Sequence, residues 1–148
     1  SPYRIQVTGR TKHHINAFGE ELIIDNAEKA LGKVCAKTKS IVSNYTAAPI
    51  FMEEGTKGAH EWIIEFEKAP ESLTEFSTQL DLALQNENSD YEAKRSKNMT
   101  LINLKLHTAR KDLFYDWHKR NKKLGGQNKV PRLSNSRTLL EELLEMNH

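Results

Sequence analysis

An α+β fold, with helices packed on a small mixed or antiparallel sheet, is predicted by three features of this 148-residue sequence. Period-two alternation marks strands near residues 3–7, 41–50, 60–67 and 100–108. Apolar stripes at helical spacing mark helices near 20–38, 71–84 and 110–124. Glycines, prolines and short polar runs punctuate the segments, so strands and helices mix instead of alternating regularly. No internal repeat and no low-complexity tract interrupts them, and one domain accounts for the length.

Tyr3, Ile5 and Val7 alternate with Arg4, Gln6 and Thr8, which gives one apolar and one polar strand face. Gly9 can take a turn, and "HHINAF" resumes alternation, so residues 9–22 read as a surface hairpin with unusually polar chemistry. "EELIIDNAEKALGKVCAKT" sets Leu22 or Ile23, Ala27, Ala30, Leu31, Val34 and Cys35 along one helical face. "IVSNYTAAPIFM" is a strand that Pro49 pushes towards an edge; "MEEGTKGAH" turns, and "EWIIEFE" returns to complete a long hairpin.

Pro70 halts that strand, and Leu73, Phe76, Leu80 and Ala83 form the stripe of the next helix. "QNENSD" is a polar loop and "YEAKR" one more helical turn. "MTLINLKLHTA" alternates again, with Leu101 or Ile102, Leu104 and Leu106 facing inward. In "RKDLFYDWHKRNKKLGG" Leu113, Phe114 and Trp117 pack inward, cations fill the last turn, and Gly125 stands at the stop. "QNKVPRLSN" is extended, because Pro131 disfavours helix at Val130. "SRTLLEELLEMN" closes the chain as a helix with Ser136 as N-cap.

Composition narrows the function classes. Apolar residues make up 37% and charged residues 28%, as in a soluble globular protein. With 22 bases against 20 acids the net charge is +2, so no strong field draws the molecule to nucleic acid or membrane. The single cysteine, Cys35, excludes an internal disulfide and fits a reducing compartment, and its helical stripe marks it as core. No apolar run approaches the roughly 20 residues of a membrane helix and no signal peptide opens the chain, so the expected location is cytoplasmic.

His13 and His14, adjacent on a strand, point to opposite faces and cannot chelate one ion; no metal site is expected. "HKRNKK" complements a helix dipole as well as it would a phosphate backbone. "LGGQNK" lacks the Lys-Ser/Thr ending of a phosphate loop and opens no helix. "NYT" and "NMT" match glycosylation acceptors without any mark of secretion. The residues alone therefore lead to a soluble α+β domain with two unexplained polar loops.

Those loops carry a resemblance. Gly9, Arg10, Lys12, Ile15, Gly19, Leu22 and Glu28 resemble, at matching spacing, the hinge motif of acyl-adenylate-forming enzymes. "VTGRTKHHINAFGEEL", "NYTAAPIFMEEGTKGAHEWIIEFE" and "GGQNKVPRL" are similar to the C-terminal domain of the Gretchen Hagen, or auxin-responsive, acyl-acid–amido synthetases, in a bacterial version. The resemblance spans nearly the whole chain, and "QxKVPR" is its most family-specific part.

The resemblance implies that residues 1–148 are a single C-terminal lid domain, a fragment of a longer chain whose N-terminal ATP- and acyl-binding domain is absent. The abrupt strand-like start fits that expectation, with Ser1 a cloning remnant. In such enzymes ATP and a carboxylic acid give an acyl-adenylate and pyrophosphate, and an amino acid's amine then displaces AMP. The lid rotates between the two half-reactions, so a hinge is needed.

By position, Lys12 matches the hinge residue and Arg10 the Arg beside it. Gly19 matches the glycine of the loop that enters the acceptor side, and Lys129 the lysine that reaches the reacting carboxylate and α-phosphate. This chain has Asn128-Lys129 where the superfamily usually has Gly-Lys. ATP and Mg2+ would be bound mainly by the absent domain, with no cofactor expected on this fragment, which alone should be inactive. The expected partners are that N-terminal domain and the two small substrates. A coenzyme A ligase lid and a non-catalytic interaction module are the alternatives.

Overall fold

The computed structural model describes residues 14–51, 57–96, 100–121 and 131–148. Its elements follow in the order β1 (His14–Ile15), β2 (Leu22–Ile23), α1 (Ile24–Thr38), β3 (Ile41–Ile50), β4 (Ala59–Lys68), α2 (Leu73–Glu87), α3 (Ser89–Arg95), β5 (Lys105–Thr108), α4 (Leu113–Asn121) and α5 (Thr138–Met146). The expected strand at 3–7 lies outside the described residues. The α+β class holds: β1 and β2 form a two-stranded antiparallel ribbon, and β3-β4-β5 a three-stranded mixed sheet.

The long hairpin forms as the alternation dictates, with Ala47 opposite Trp62 and Ile50 opposite Ala59. The strand runs through Pro49 to Ile50 because β3 is the outer strand. Ala47 N–H and C=O point away from β4, to Arg132 and Ser134, and Pro49, two residues on, shares that direction. Its missing N–H therefore costs the ladder nothing. β5 joins β4 in parallel, and its ladder is shorter than the expected 100–108: only Lys105–Thr108 pair, after an isolated Gly58–Leu101 bridge.

Strand β4 is buried on both faces, which divides the core in two. Tyr45, Ala47, Trp62 and Ile64 pack with Ala27, Ala30, Leu31 and Val34 of α1 and Phe76, Leu80 and Leu84 of α2. On the opposite face Ala48 and Ile63 meet Leu113 and Phe114 of α4 and Leu140 and Leu143 of α5. The sheet is thus sandwiched between helical layers.

Some local expectations shift. Helix α1 starts at Ile24, since Leu22 and Ile23 are taken into the ribbon with Ile15 and His14. Leu73 leaves the predicted stripe and is 42% exposed, because it begins α2 beyond the packed turns, whereas Asp81 is buried in the same helix. The N-cap position of α5 is Arg137, not Ser136, although Ser136 Oγ still accepts the Thr138 N–H at 3.3 Å. Among the described residues no helix is long and apolar enough to cross a membrane.

Candidate functional site

Two polar stretches singled out in the sequence pack against the β3–β4 hairpin. The first is the turn joining β1 to β2. Gly19 sits at its exposed crest with φ +83°, a backbone state that L side chains resist, and a Cβ there would lie 3.4 Å from Lys94 Cε. Glu21 follows with φ +42°.

The residues flanking Gly19 both turn inward. Phe18 lays its ring on Gly58, where a Cβ would meet Phe18 Cζ at 2.3 Å, so only glycine admits this approach; its ring also meets that of Phe51 at 5.7 Å. Glu20 is fully buried: Oε1 accepts the Phe18 N–H at 2.7 Å, and Oε2 lies 2.5 Å from His60 Nε2. Asn16 Oδ1 accepts the Glu21 N–H at 3.1 Å, and the Glu21 carbonyl accepts from Asn88 Nδ2 at 3.0 Å.

The second stretch is the tail of "KVPRL". Residues 131–134 run along the open edge of β3, where the Arg132 carbonyl accepts Ala47 N–H at 2.9 Å and Ser134 N–H reaches the Ala47 carbonyl at 3.1 Å. Thr46 Oγ1 donates to the Pro131 carbonyl at 2.7 Å. Arg132 then reaches back to α1, with Nη1 3.0 Å from Glu28 Oε2, and its guanidinium lies 4.9 Å above the Tyr45 ring.

Tyr45 OH donates to the same Glu28 carboxylate, and its ring stacks on Trp62 at 5.5 Å. Burial raises the Tyr45 pKa, the bonded Glu28 carboxylate raises it further, and Arg132 opposes both only in part. The phenol is thus a fixed donor, not a proton shuttle. Beside it lies a shallow groove of about 320 Å³, lined among others by Glu28, Cys35, Ser40, Tyr45 and Arg132.

Of the residues picked from sequence, Gly19 is placed on a positive-φ crest, and Glu28 of the same motif is bonded to Arg132 of "KVPR". Arg10, Lys12 and Lys129 lie outside the described residues, and Lys129 is three positions before Arg132 in the chain. Among the described residues no three His, Cys, Asp or Glu side chains are grouped to hold a metal ion.

The reading of the residues missed Glu20, Gly58 and His60. His60 did carry a signal: in "HEWIIEF" it shares a face with Trp62, Ile64 and Phe66, so it had to point inward. Glu20, in a turn, carried none.

Comparison with known proteins places the fold. Two solved structures share the fold: "AtGH3.15 acyl acid amido synthetase in complex with 2,4-DB", and "GH3.15 acyl acid amido synthetase". The first superposes with a TM-score of 0.72 at 14% identity over 93% of this chain and 26% of that one. The second does so with a TM-score of 0.72 at 14% identity, over 92% and 26%. The chain therefore spans about a quarter, 26%, of the length of these structures. No curated protein matches it in sequence.

The profile described as "GH3 family C-terminal domain" matches residues 25–138, from the second residue of α1 to the first residue of α5. That match takes in the Glu28–Tyr45–Arg132 cluster and most of both core layers, and on it the chain belongs to the GH3 family, as its C-terminal domain.

Proposed function

We propose that this chain is the lid domain of an ATP-dependent acyl-acid–amido synthetase, which activates a carboxylic acid as an acyl-adenylate and passes it to an amino acid. In the first half-reaction a carboxylate oxygen bonds to the α-phosphorus of ATP and pyrophosphate leaves. In the second, the amine nitrogen bonds to the acyl carbon, the bond to AMP breaks, and the nitrogen gives up a proton. ATP and Mg2+ are bound mainly by an N-terminal domain of the same chain, which is also the lid's partner.

The observation that carries the reading is the Glu28–Tyr45–Arg132 cluster. It joins a residue of the hinge-type motif to the "KVPR" run through a charge-assisted hydrogen bond and a ring contact. Arg132 is tethered to Glu28 of α1, so rotation about Arg10 and Lys12 would carry the "KVPR" run with that helix, and Lys129 towards or away from the substrates. Lysine suits that task, because a compact cation on a flexible stem can follow charge as it develops on phosphate and carboxylate oxygens. Gly19 would occupy the acceptor side once the lid has turned.

The test is Lys129→Ala in the full-length protein. Acid-dependent ATP–pyrophosphate exchange should slow by about a hundredfold or more, which corresponds to about 2.7 kcal/mol. Aminolysis of a pre-made acyl-adenylate should change far less. Exchange at the wild-type rate would remove Lys129 from the mechanism, and a product that requires coenzyme A in place of an amino acid would overturn the amido synthetase assignment.

A further inference from the structure

We infer that Glu20 and His60 are positioning residues for the acceptor-side turn: their buried contact sets the backbone of Gly19 for amide formation. The inference rests on the proposed function and extends it to a pair of side chains that reach no substrate. Both side chains have no solvent exposure, and a carboxyl group taken out of water is costly unless it is well partnered. A turn that needed only to close could end on an apolar residue. Glu20 instead directs one oxygen to the Phe18 N–H and the other to His60, and so locks the residue before the crest as well as the residue after it.

The anchor is rigid in its turn. His60 lies in β4, paired with Pro49, and its ring packs on Tyr91 with centroids 5.2 Å apart. Tyr91 OH donates to Asp81 at 2.5 Å, and Asp81 accepts from Arg95 Nε at 2.7 Å. His60 Nδ1 has no hydrogen-bond partner among the described residues, so the ring's polar contact is directed wholly at Glu20.

What this holds is a crest of two left-handed residues, Gly19 and Glu21, on either side of Glu20. The non-glycine member is strained and persists only where its surroundings impose it. Without the Glu20 anchor the crest can relax while the β1–β2 ladder stays paired.

The experiment uses Glu20→Gln and His60→Gln in the full-length protein. Glu20→Gln keeps the shape and the acceptor for Phe18 N–H, but puts an amide nitrogen in place of the oxygen that meets His60. Amide formation from a pre-made acyl-adenylate should fall by about tenfold or more in kcat, since small misplacements at a reacting centre carry costs of that order. ATP–pyrophosphate exchange and the KM for the acid should stay within about twofold. Amide hydrogen exchange over residues 16–21 should quicken in both variants, and it reads the anchor independently of activity.

Equal loss of both half-reactions together with a lowered Tm would reduce the pair to a structural role and overturn the inference, as would unchanged exchange over 16–21. A wild-type protein that exchanges pyrophosphate but forms no amide would sink the acceptor assignment of the turn and this inference with it. One that does neither would sink the proposed function itself, and with it the part of Glu20 and His60 in amide formation.

Discussion

Asp81 shows how much of this molecule is decided by single buried polar groups. It stands in α2 with 1% exposure, amid Phe76, Leu80 and Leu84, and it accepts from Tyr91 OH, Arg95 Nε, Gln85 Nε2 at 2.9 Å and the Leu104 N–H at 3.3 Å. Burial, then the charge of Asp81 and the hydrogen bond to it, push the Tyr91 phenol well above its ordinary pKa, so it stays a donor. Tyr91→Phe should cost about 1–3 kcal/mol, the loss expected for one charged buried hydrogen bond. Asp81→Ala should cost more, about 3–5 kcal/mol, because Arg95 and Tyr91 both lose the buried carboxylate they share. Urea unfolding at neutral pH checks the order, and an Asp81→Ala variant no less stable than Tyr91→Phe would contradict it. None of this was legible in "TQLDLAL", where an aspartate beside a leucine stripe reads as solvated. Apart from Gln85, one helical turn on, its partners lie 10, 14 and 23 residues away, beyond any local pattern.

At the scale of elements, β4 organises the sheet through both faces. The "EWIIEF" alternation was legible as a strand, yet it put two carboxylates, Glu61 and Glu65, on the face that packs against α4 and α5. Glu65 accepts the Asp112 and Phe114 N–H groups at 2.9 and 3.3 Å, which caps the start of α4. Glu61 ties β5 and α5 to the strand through His107 at 2.5 Å and Arg137 at 2.9 Å.

Burial alone would raise the Glu61 pKa, but the hydrogen bonds from His107 and Arg137 outweigh it and hold the carboxyl below its ordinary 4.5. The folded state thus binds this proton less tightly than the unfolded chain does. Its stabilisation is complete above pH 4.5 and is lost as the pH falls through the lower folded value. Wild type should therefore exceed Glu61→Gln in urea midpoint at pH 7, with the gap closing below about pH 4.5. A gap constant from pH 7 to 3 would show that the two ties do not depend on charge. The parallel pairing of β5 was not readable from "MTLINLKLHTA": Leu104 turns its N–H to Asp81, and only the residues after it reach β4.

For the molecule as a whole, the class and the main helices followed from periodicity, because amphipathic stripes and strand alternation are short-range signals. The closure of the fold did not. The open edge of β3 is covered by residues 131–134, and Leu133, Leu140 and Leu143 fill both core layers from the end of the chain. A chain ending at residue 130 should therefore expose a strand edge together with apolar core, and self-associate in size-exclusion chromatography. A folded monomer of that length would show that the edge strap is dispensable.

The far end of the strap also touches the turn that bears Gly19. Asn16 N–H donates to Asn135 Oδ1 at 2.8 Å across 119 residues, and Asn135 Nδ2 reaches the His14 carbonyl at 3.5 Å. This stitch makes the turn a matter of timing. Helix α1 and the β3–β4 hairpin can form while the chain is still being made, since their contacts are local. The stitch to the turn has to wait for Asn135, which is made 119 residues after Asn16. A turn made well before its partner is thus among the last parts of the fold to take its final shape.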